Sequence, residues 1–406
     1  MNTSREIGTP TSFSLTKSGD RKTPFEFATA ARILFGAGVL HQIGPIAAEM
    51  GHFALVMTGR TTQRAGTLLD ELTNRGIDTV TLPVAGEPTT VRVSEATEHA
   101  RNVGCDMVIG FGGGSVLDAG KAVAVLLANG GAPEDYLEVI GKGKQLTRQS
   151  APYIAIPTTA GTGSEVTRNA VLLSPEHQVK ASMRSSLMLP RLALVDPELA
   201  YDLPPQITAS TGLDALTQLI EPYTSNRANA ITDALCLDGM HRVACSLARA
   251  FEHGDDTAAR QDMSLASLFG GLALANAGLG IVHGVAGPLG GKFSAPHGAI
   301  CARLLPYAME ANITALQKRL PKSDSLKRYD KIARSLVGSE SCHASDGVAW
   351  VKNLCESLRI PSLASYGVST EDFPELIGKA AIASSTKGNP IQLTKDEIQQ
   401  ILAKAL

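Results

Sequence analysis

Three side chains in the C-terminal half carry donor atoms that suit a divalent metal: Asp214, His283 and His297. A carboxylate with two imidazoles binds Zn²⁺ or Fe²⁺ and leaves a position for a substrate oxygen. Gln218 follows Asp214 by four residues, on the same face of an expected helix from Gln206 to Tyr223. His283 comes after the small-residue stretch 273–280, and His297 lies in Ala295-Pro296-His297-Gly298. Pro288 and Pro296 are expected to break the chain between them, so that the two rings converge. His297, beside an expected flexible loop, is the first candidate for moving a proton, with His283 and Asp214 completing the catalytic group.

A second constellation lies in the N-terminal half. The run 106–111 (DMVIGF) reads as a buried strand, Gly112-Gly113-Gly114-Ser115 as a turn, and 116–128 as a helix. Glycines let a backbone approach a phosphate closely, and the following helix offers free N–H groups and a partial positive charge. Ser115 is placed to cap that helix, and Asp118, three residues on, to complete a capping-box-like pair. After the next strand comes a second polar loop containing Thr158, Thr159, Thr162, Ser164 and Glu165. Neighbouring parallel strands deliver such loops to one sheet edge, which suits a phosphate and ribose cradle. Singly, each feature also reads as ordinary structure: a capped βα turn, a polar loop, two core histidines.

The elements that position these groups differ between the halves. From about Phe25 to Asp196, β-branched runs (52–57, 77–82, 106–111, 153–156) alternate with helical stretches (63–74, 91–103, 116–128). That alternation implies βαβ units and a mostly parallel sheet. A hairpin is expected at 170–183, turning at Ser174-Pro175-Glu176-His177. Beyond Pro204-Pro205, Ala- and Leu-rich stretches at 206–223, 229–251 and 257–277 carry helical spacing. The expected organisation is an N-terminal tail (1–24), an α/β dinucleotide-binding domain (25–203) and an all-helical domain (204–406) for metal and substrate, with the ligand in the cleft between the two domains.

Composition narrows the function classes. With 406 residues the chain exceeds one ordinary core, and 44 % apolar residues allow large ones. A net charge of −2 gives no footprint for nucleic acid. No uninterrupted apolar run reaches membrane-spanning length, and the first residues lack the apolar stretch of a signal peptide. Six cysteines without paired spacing read as reduced thiols of a cytoplasmic protein. Cys301 reads as a small core residue at the start of a helix, and His177 and Glu87 as solvated loop residues.

The ordered segments GGGSVLDAGKA, PTTAGTGSEVTRNAV, LVDPELAYDLPP, STGLDALTQLIEPYTS, NAGLGIVHGVAGPLGG and SAPHG resemble the group III, or iron-containing, alcohol dehydrogenases. The resemblance runs from about Phe25 to the C-terminus. It implies a dehydroquinate synthase-like fold and a homodimer or larger assembly. It also implies an NAD(P)-dependent oxidoreductase, moving hydride between nicotinamide and a small alcohol, aldehyde or ketone. By the same resemblance the pyrophosphate turn falls on Gly112, Gly113, Gly114 and Ser115, and the second nucleotide loop on Thr158, Thr159, Thr162 and Ser164. The lysine that reaches the ribose hydroxyls falls on Lys180, and the metal ligands on Asp214, Gln218, His283 and His297.

Three departures bear on function. Gln218 stands where iron-type members carry His, and Gly287 where many carry a further, non-ligand His. After the first strand, NAD-preferring members place an Asp where this chain reads Gly59, followed by Arg60. That exchange removes a carboxylate and adds a cation, which favours NADP(H) over NAD(H). Three readings stay open at this stage: a dehydrogenase with Zn²⁺ or Fe²⁺, a metal-independent reductase of the maleylacetate type, and a dehydroquinate-synthase-like lyase. The last needs cations for a phosphate substrate, and only Lys292 and Arg303 offer them nearby.

Overall fold

A computed structural model describes residues 24–406; the expected tail, 1–24, lies almost wholly outside the described residues. The N-terminal half contributes β1 (Arg32–Phe35), α1 (Ile43–Ala48), β2 (Phe53–Thr58), α2 (Gly66–Asn74), β3 (Asp78–Pro83), α3 (Thr90–Val103), β4 (Met107–Gly112), α4 (Gly114–Asn129), the short α5 (Pro133–Tyr136), β5 (Tyr153–Pro157), β6 (Asn169–Ser174), β7 (Val179–Arg184) and β8 (Leu192–Val195). Nine helices follow: α6 (Pro205–Thr224), α7 (Ala230–Glu252), α8 (Thr257–Ala277), α9 (Ile281–Lys292), α10 (His297–Arg319), α11 (Asp324–Val337), α12 (Ala344–Ser357), α13 (Phe373–Ile382) and α14 (Lys395–Ala405).

Six strands form one parallel sheet in the order β1-β8-β5-β4-β2-β3, and β6 pairs antiparallel with β7 as the expected hairpin. Helices cover both faces, so the central strands are near-continuous apolar runs. Alternate residues feed two cores. Leu55, Met57, Val108 and Ala155 pack on one side with Val116, Leu117 and Val123 of α4. Ala54, Val56, Ile109, Ile154 and Ile156 pack on the other with Leu68 and Leu72 of α2. The edge strand β1 and its neighbour β8 escape the sequence reading because each has only four residues and no flanking pattern.

From β2 the chain steps to β3 at one edge, then crosses back to β4 on the other side of β2 and continues outward. The sheet order therefore reverses between β2 and β4. Ligands of open α/β sheets bind outside the carboxyl ends of strands at such a reversal. Gly59 follows β2 and Gly112 ends β4, so both sequence signals stand there.

The helical half has its own large core, drawn from α6 to α14. A smaller cluster joins the halves: Ala30, Val166, Ala193 and Val195 against Leu268 and Leu272 of α8. Pro288 does not break the chain as expected. It sits inside α9, whose apolar burial outweighs the one hydrogen bond proline removes. The break between His283 and His297 is confined to residues 293–296. No single helix among the described residues is long and apolar enough to cross a membrane. One pair, α8 and α9, passes that test only together and is bent by 100°.

Candidate active site

The two polar loops touch. A methyl group on Gly114 would fall 2.7 Å from the Thr162 side chain, and one on Gly113 would fall 3.3 Å from Thr159 Oγ1. The Thr158 amide donates to the Gly112 carbonyl at 3.0 Å. The capping box is not formed. Gly113 is the N-cap of α4 and no side chain caps it, so the first-turn N–H groups carry no side-chain partner. Asp118 turns elsewhere: it accepts from Ser164 Oγ and, at 2.9 Å, from the Val171 amide. Ser164 Oγ is thus held between Asp118 and Lys121 of α4.

Lys121, which the sequence reading passed over, explains the loop's shape. It is fully buried in α4, and its three N–H groups are shared among four oxygens: Ser164 O (2.8 Å), Ser164 Oγ (3.0 Å), Thr167 Oγ1 (2.8 Å) and Asn169 O (2.7 Å). A buried ammonium is tolerated only when so satisfied. On its far side the loop meets the helical half. Gly163 has φ +61°, and a Cβ there would stand 2.3 Å from Gly271 Cα of α8, so no other residue fits. The same residues that shape this polar loop dock the two halves.

Lys180, on β7, lies against α9: a Cβ on Gly290 would be 3.1 Å from its Nζ. Its ammonium pairs with Glu87 Oε1 at 2.8 Å and is nearly buried. Glu87 is therefore not merely solvated; it orients this lysine. Arg60 is exposed and has no ion pair or hydrogen-bond partner among the described residues.

Asp214 and Gln218 project from α6, His283 from the first turn of α9, and His297 opens α10. Gly298 lets α10 approach α6, since a Cβ there would lie 2.4 Å from Ser210 O. His283 Nε2 and His297 Nε2 stand 3.7 Å and 4.0 Å from Asp214 Oδ1, with the ring centroids 5.4 Å apart. Two residues missed as site members complete the picture. Glu221, one turn beyond Gln218, accepts from His283 Nδ1 and the Val282 amide, both at 2.7 Å. Cys301, one turn into α10, is a buried core residue as expected, yet its Sγ is 3.6 Å from His297 Nε2. The spacings 214–218–221 and 297–301 were the available signals, each placing residues on one helix face.

Asp214 Oδ2 accepts from Gln218 Nε2 at 2.9 Å, whereas Asp214 Oδ1 and Gln218 Oε1 are buried without a hydrogen bond at normal distance. Buried polar atoms are rarely left so. Burial disfavours the Asp214 anion, but His283, His297 and Gln218 outweigh it and hold its pKa below the ordinary value. Burial likewise opposes charge on His283, and Cys301, Asp214 and Glu221 together push its pKa well up. Ligating atoms of Asp214, His283, His297 and Cys301 all lie within 4.8 Å of one another. Two N or O donors of one tetrahedral ion stand about 3.4 Å apart. The Asp214–imidazole separations of 3.7 Å and 4.0 Å are slightly wider than that, and the whole cluster lies within 4.8 Å, so small side-chain adjustments let its residues fit a bound dication.

The cations a phosphate-bearing lyase substrate would need are engaged elsewhere. Lys292 pairs with Asp372 (2.9 Å) and Glu375 (2.6 Å), and Arg303 Nε donates to Ala405 O at 2.9 Å.

Residues 30–197 match the family described as iron-containing alcohol dehydrogenase, and residues 208–406 match the C-terminal part of the Fe-containing alcohol dehydrogenase family. The chain is 38 % identical over 385 residues to a probable alcohol dehydrogenase, EutG, of Escherichia coli, covering 93 % of this chain and 94 % of that one. It is 31 % identical over 382 residues to the NAD-dependent methanol dehydrogenase of Bacillus methanolicus, covering 92 % and 97 %. The solved structure of a 1,3-propanediol oxidoreductase superposes with a TM-score of 0.88 at 31 % identity, covering 95 % of this chain and all of that one.

Proposed function

The chain belongs to the iron-containing alcohol dehydrogenase family, oxidoreductases that pass hydride between a nicotinamide nucleotide and a small alcohol or aldehyde, and we propose which of its residues do so. The nucleotide pyrophosphate lies on Gly112–Ser115 at the N-terminus of α4, with Thr158, Thr159 and Thr162 closing over it. Lys180, held by Glu87, donates to the ribose hydroxyls. Asp214, His283 and His297 face the reacting carbon and hold a divalent metal. The observation that carries this reading is the orphaned Asp214 Oδ1, buried and faced by two imidazole nitrogens.

A dication bound there supplies Lewis-acid stabilisation of the substrate's alkoxide oxygen. The rest is done by the chain. Glu221 takes the Nδ1–H of His283 and so fixes the tautomer that presents Nε2 to the cluster. Gln218 holds Asp214 Oδ2 and leaves Oδ1 free. His297, about a third exposed where its neighbours are buried, marks the side from which substrate enters.

The same reading takes NADP(H) as the preferred nucleotide, because Gly59 leaves space and no charge where Arg60 can meet a 2′-phosphate. It also takes the enzyme as a homodimer or larger assembly in the cytoplasm; the six free cysteines suit a reducing compartment. The direct test is steady-state turnover of primary alcohols, aldehydes, ketones and oxo acids with NADPH and NADH, wild type against Lys180→Ala. Turnover with a raised nucleotide KM in the variant is expected. An unchanged KM would remove Lys180 from the nucleotide site.

A further inference from the structure

Gln218 and Cys301 are both within reach of the cluster, and the structure uses them differently. Gln218 spends its amide nitrogen on Asp214 Oδ2 at 2.9 Å. An amide so engaged orients the carboxylate, and its remaining oxygen is a weak, neutral donor. Cys301 sits one helical turn after His297, on the same face of α10, with its sulfur fully buried. Its Sγ is 3.6 Å from His297 Nε2 and within 4.8 Å of the ligating atoms of Asp214 and His283. In a tetrahedral zinc site a sulfur and a nitrogen stand about 3.5 Å apart. The observed separation is already that of two ligands on one ion.

We propose that Cys301 is the fourth metal ligand of this protein, as a thiolate, and that Gln218 is a positioning residue rather than a ligand. The inference rests on the metal reading of the site given above and adds to it the donor set Asp214, His283, His297 and Cys301. Two anionic ligands then balance the charge of a dication. A set with one thiolate, two imidazoles and one carboxylate selects a borderline-soft ion, zinc before iron. Metal binding displaces the thiol proton to solvent, and no electron is transferred. His297 is the exposed member of the set, so a substrate would approach from its side, and a bound ion would supply Lewis-acid chemistry there.

The test uses the full-length protein freed of metal and loaded with Co²⁺ as a spectroscopic stand-in for zinc. Wild type is expected to bind one ion per subunit and to show the near-ultraviolet thiolate-to-cobalt charge-transfer band. Cys301→Ser is expected to lose the band while binding cobalt at least on the order of tenfold more weakly. Gln218→Met is expected to keep the band. X-ray absorption at the zinc edge of the unmutated protein gives an independent reading, with one sulfur at about 2.3 Å expected. Cobalt bound without the band, or zinc without a sulfur neighbour, would overturn the Cys301 assignment and leave the metal reading standing. Failure of wild type to bind either ion would overturn both.

Discussion

Gly59 follows β2 with a φ outside the left-handed region and open space where a Cβ would stand. Neither the turn nor packing demands glycine there, so its absent side chain is best read through the ligand. Gly59→Asp is expected to fold as wild type and to shift the kcat/KM ratio from NADPH toward NADH by at least about tenfold, since it puts a carboxylate where a 2′-phosphate would lie and a 2′-hydroxyl would be received. An unchanged ratio would return Gly59 and Arg60 to the role of plain turn residues. Glu221 gives a second test at this scale. Glu221→Ala strips the acceptor from His283 Nδ1 and from the Val282 amide. Loss of metal affinity by about 10- to 100-fold is expected, with a stability loss of about 1–3 kcal/mol for each buried donor left unpaired. Titration with a metal-sensitive dye and thermal unfolding measure the two effects. At this scale the sequence was informative where a residue type is rare, as with paired histidines. It offered Glu221 only through its helix-face spacing with Asp214 and Gln218, and it was silent on Lys121, because a buried charge has no signature until its partners are placed.

Between elements, the joints are made by close backbone approach. Gly163 against Gly271 fastens the second polar loop to α8, and Lys121 fastens the same loop to α4. Gly163→Ala meets both a left-handed φ and a backbone atom, so a loss of more than about 2 kcal/mol is expected by chemical denaturation, with a raised nucleotide KM in whatever folds. Wild-type stability would show that α8 can retreat from the loop. The long amphipathic helices and buried strands were legible because period and length agree. The first turn of α4 was misread: Ser115 and Asp118 have the spacing of a cap, but Asp118 finds better partners in Ser164 and Val171, which are far away in sequence. Pro288 was misread for a similar reason, since tertiary burial of α9 overrides the local penalty.

The molecule as a whole stores one titration that can be read without substrate. Glu165, buried between the sheet domain and α8, has its pKa raised by burial to about 7, against an ordinary 4.5. The folded protein thus binds this proton more tightly than the unfolded chain does. Its contribution is fully present below about pH 4.5 and is lost as pH rises through about 7. Glu165→Gln is expected to gain stability over wild type at pH 8, by at most about 3 kcal/mol, and to gain almost nothing at pH 4. An equal gain at both pH values would mean that the carboxyl is not protonated in the fold. The two-part architecture was legible from the change in periodicity near Pro204. The docking of the halves was not, because it depends on small residues whose neighbours lie over 100 positions away.

On the function proposed above, Asp214, His283 and His297 hold a catalytic metal beside the nucleotide. The most direct measurement is metal content by mass spectrometry, on protein purified without added metal, together with turnover before and after chelation. About one ion per subunit is expected, lost on chelation together with turnover, restored by re-addition, and absent from Asp214→Ala. Full turnover by protein that carries no metal would contradict the account.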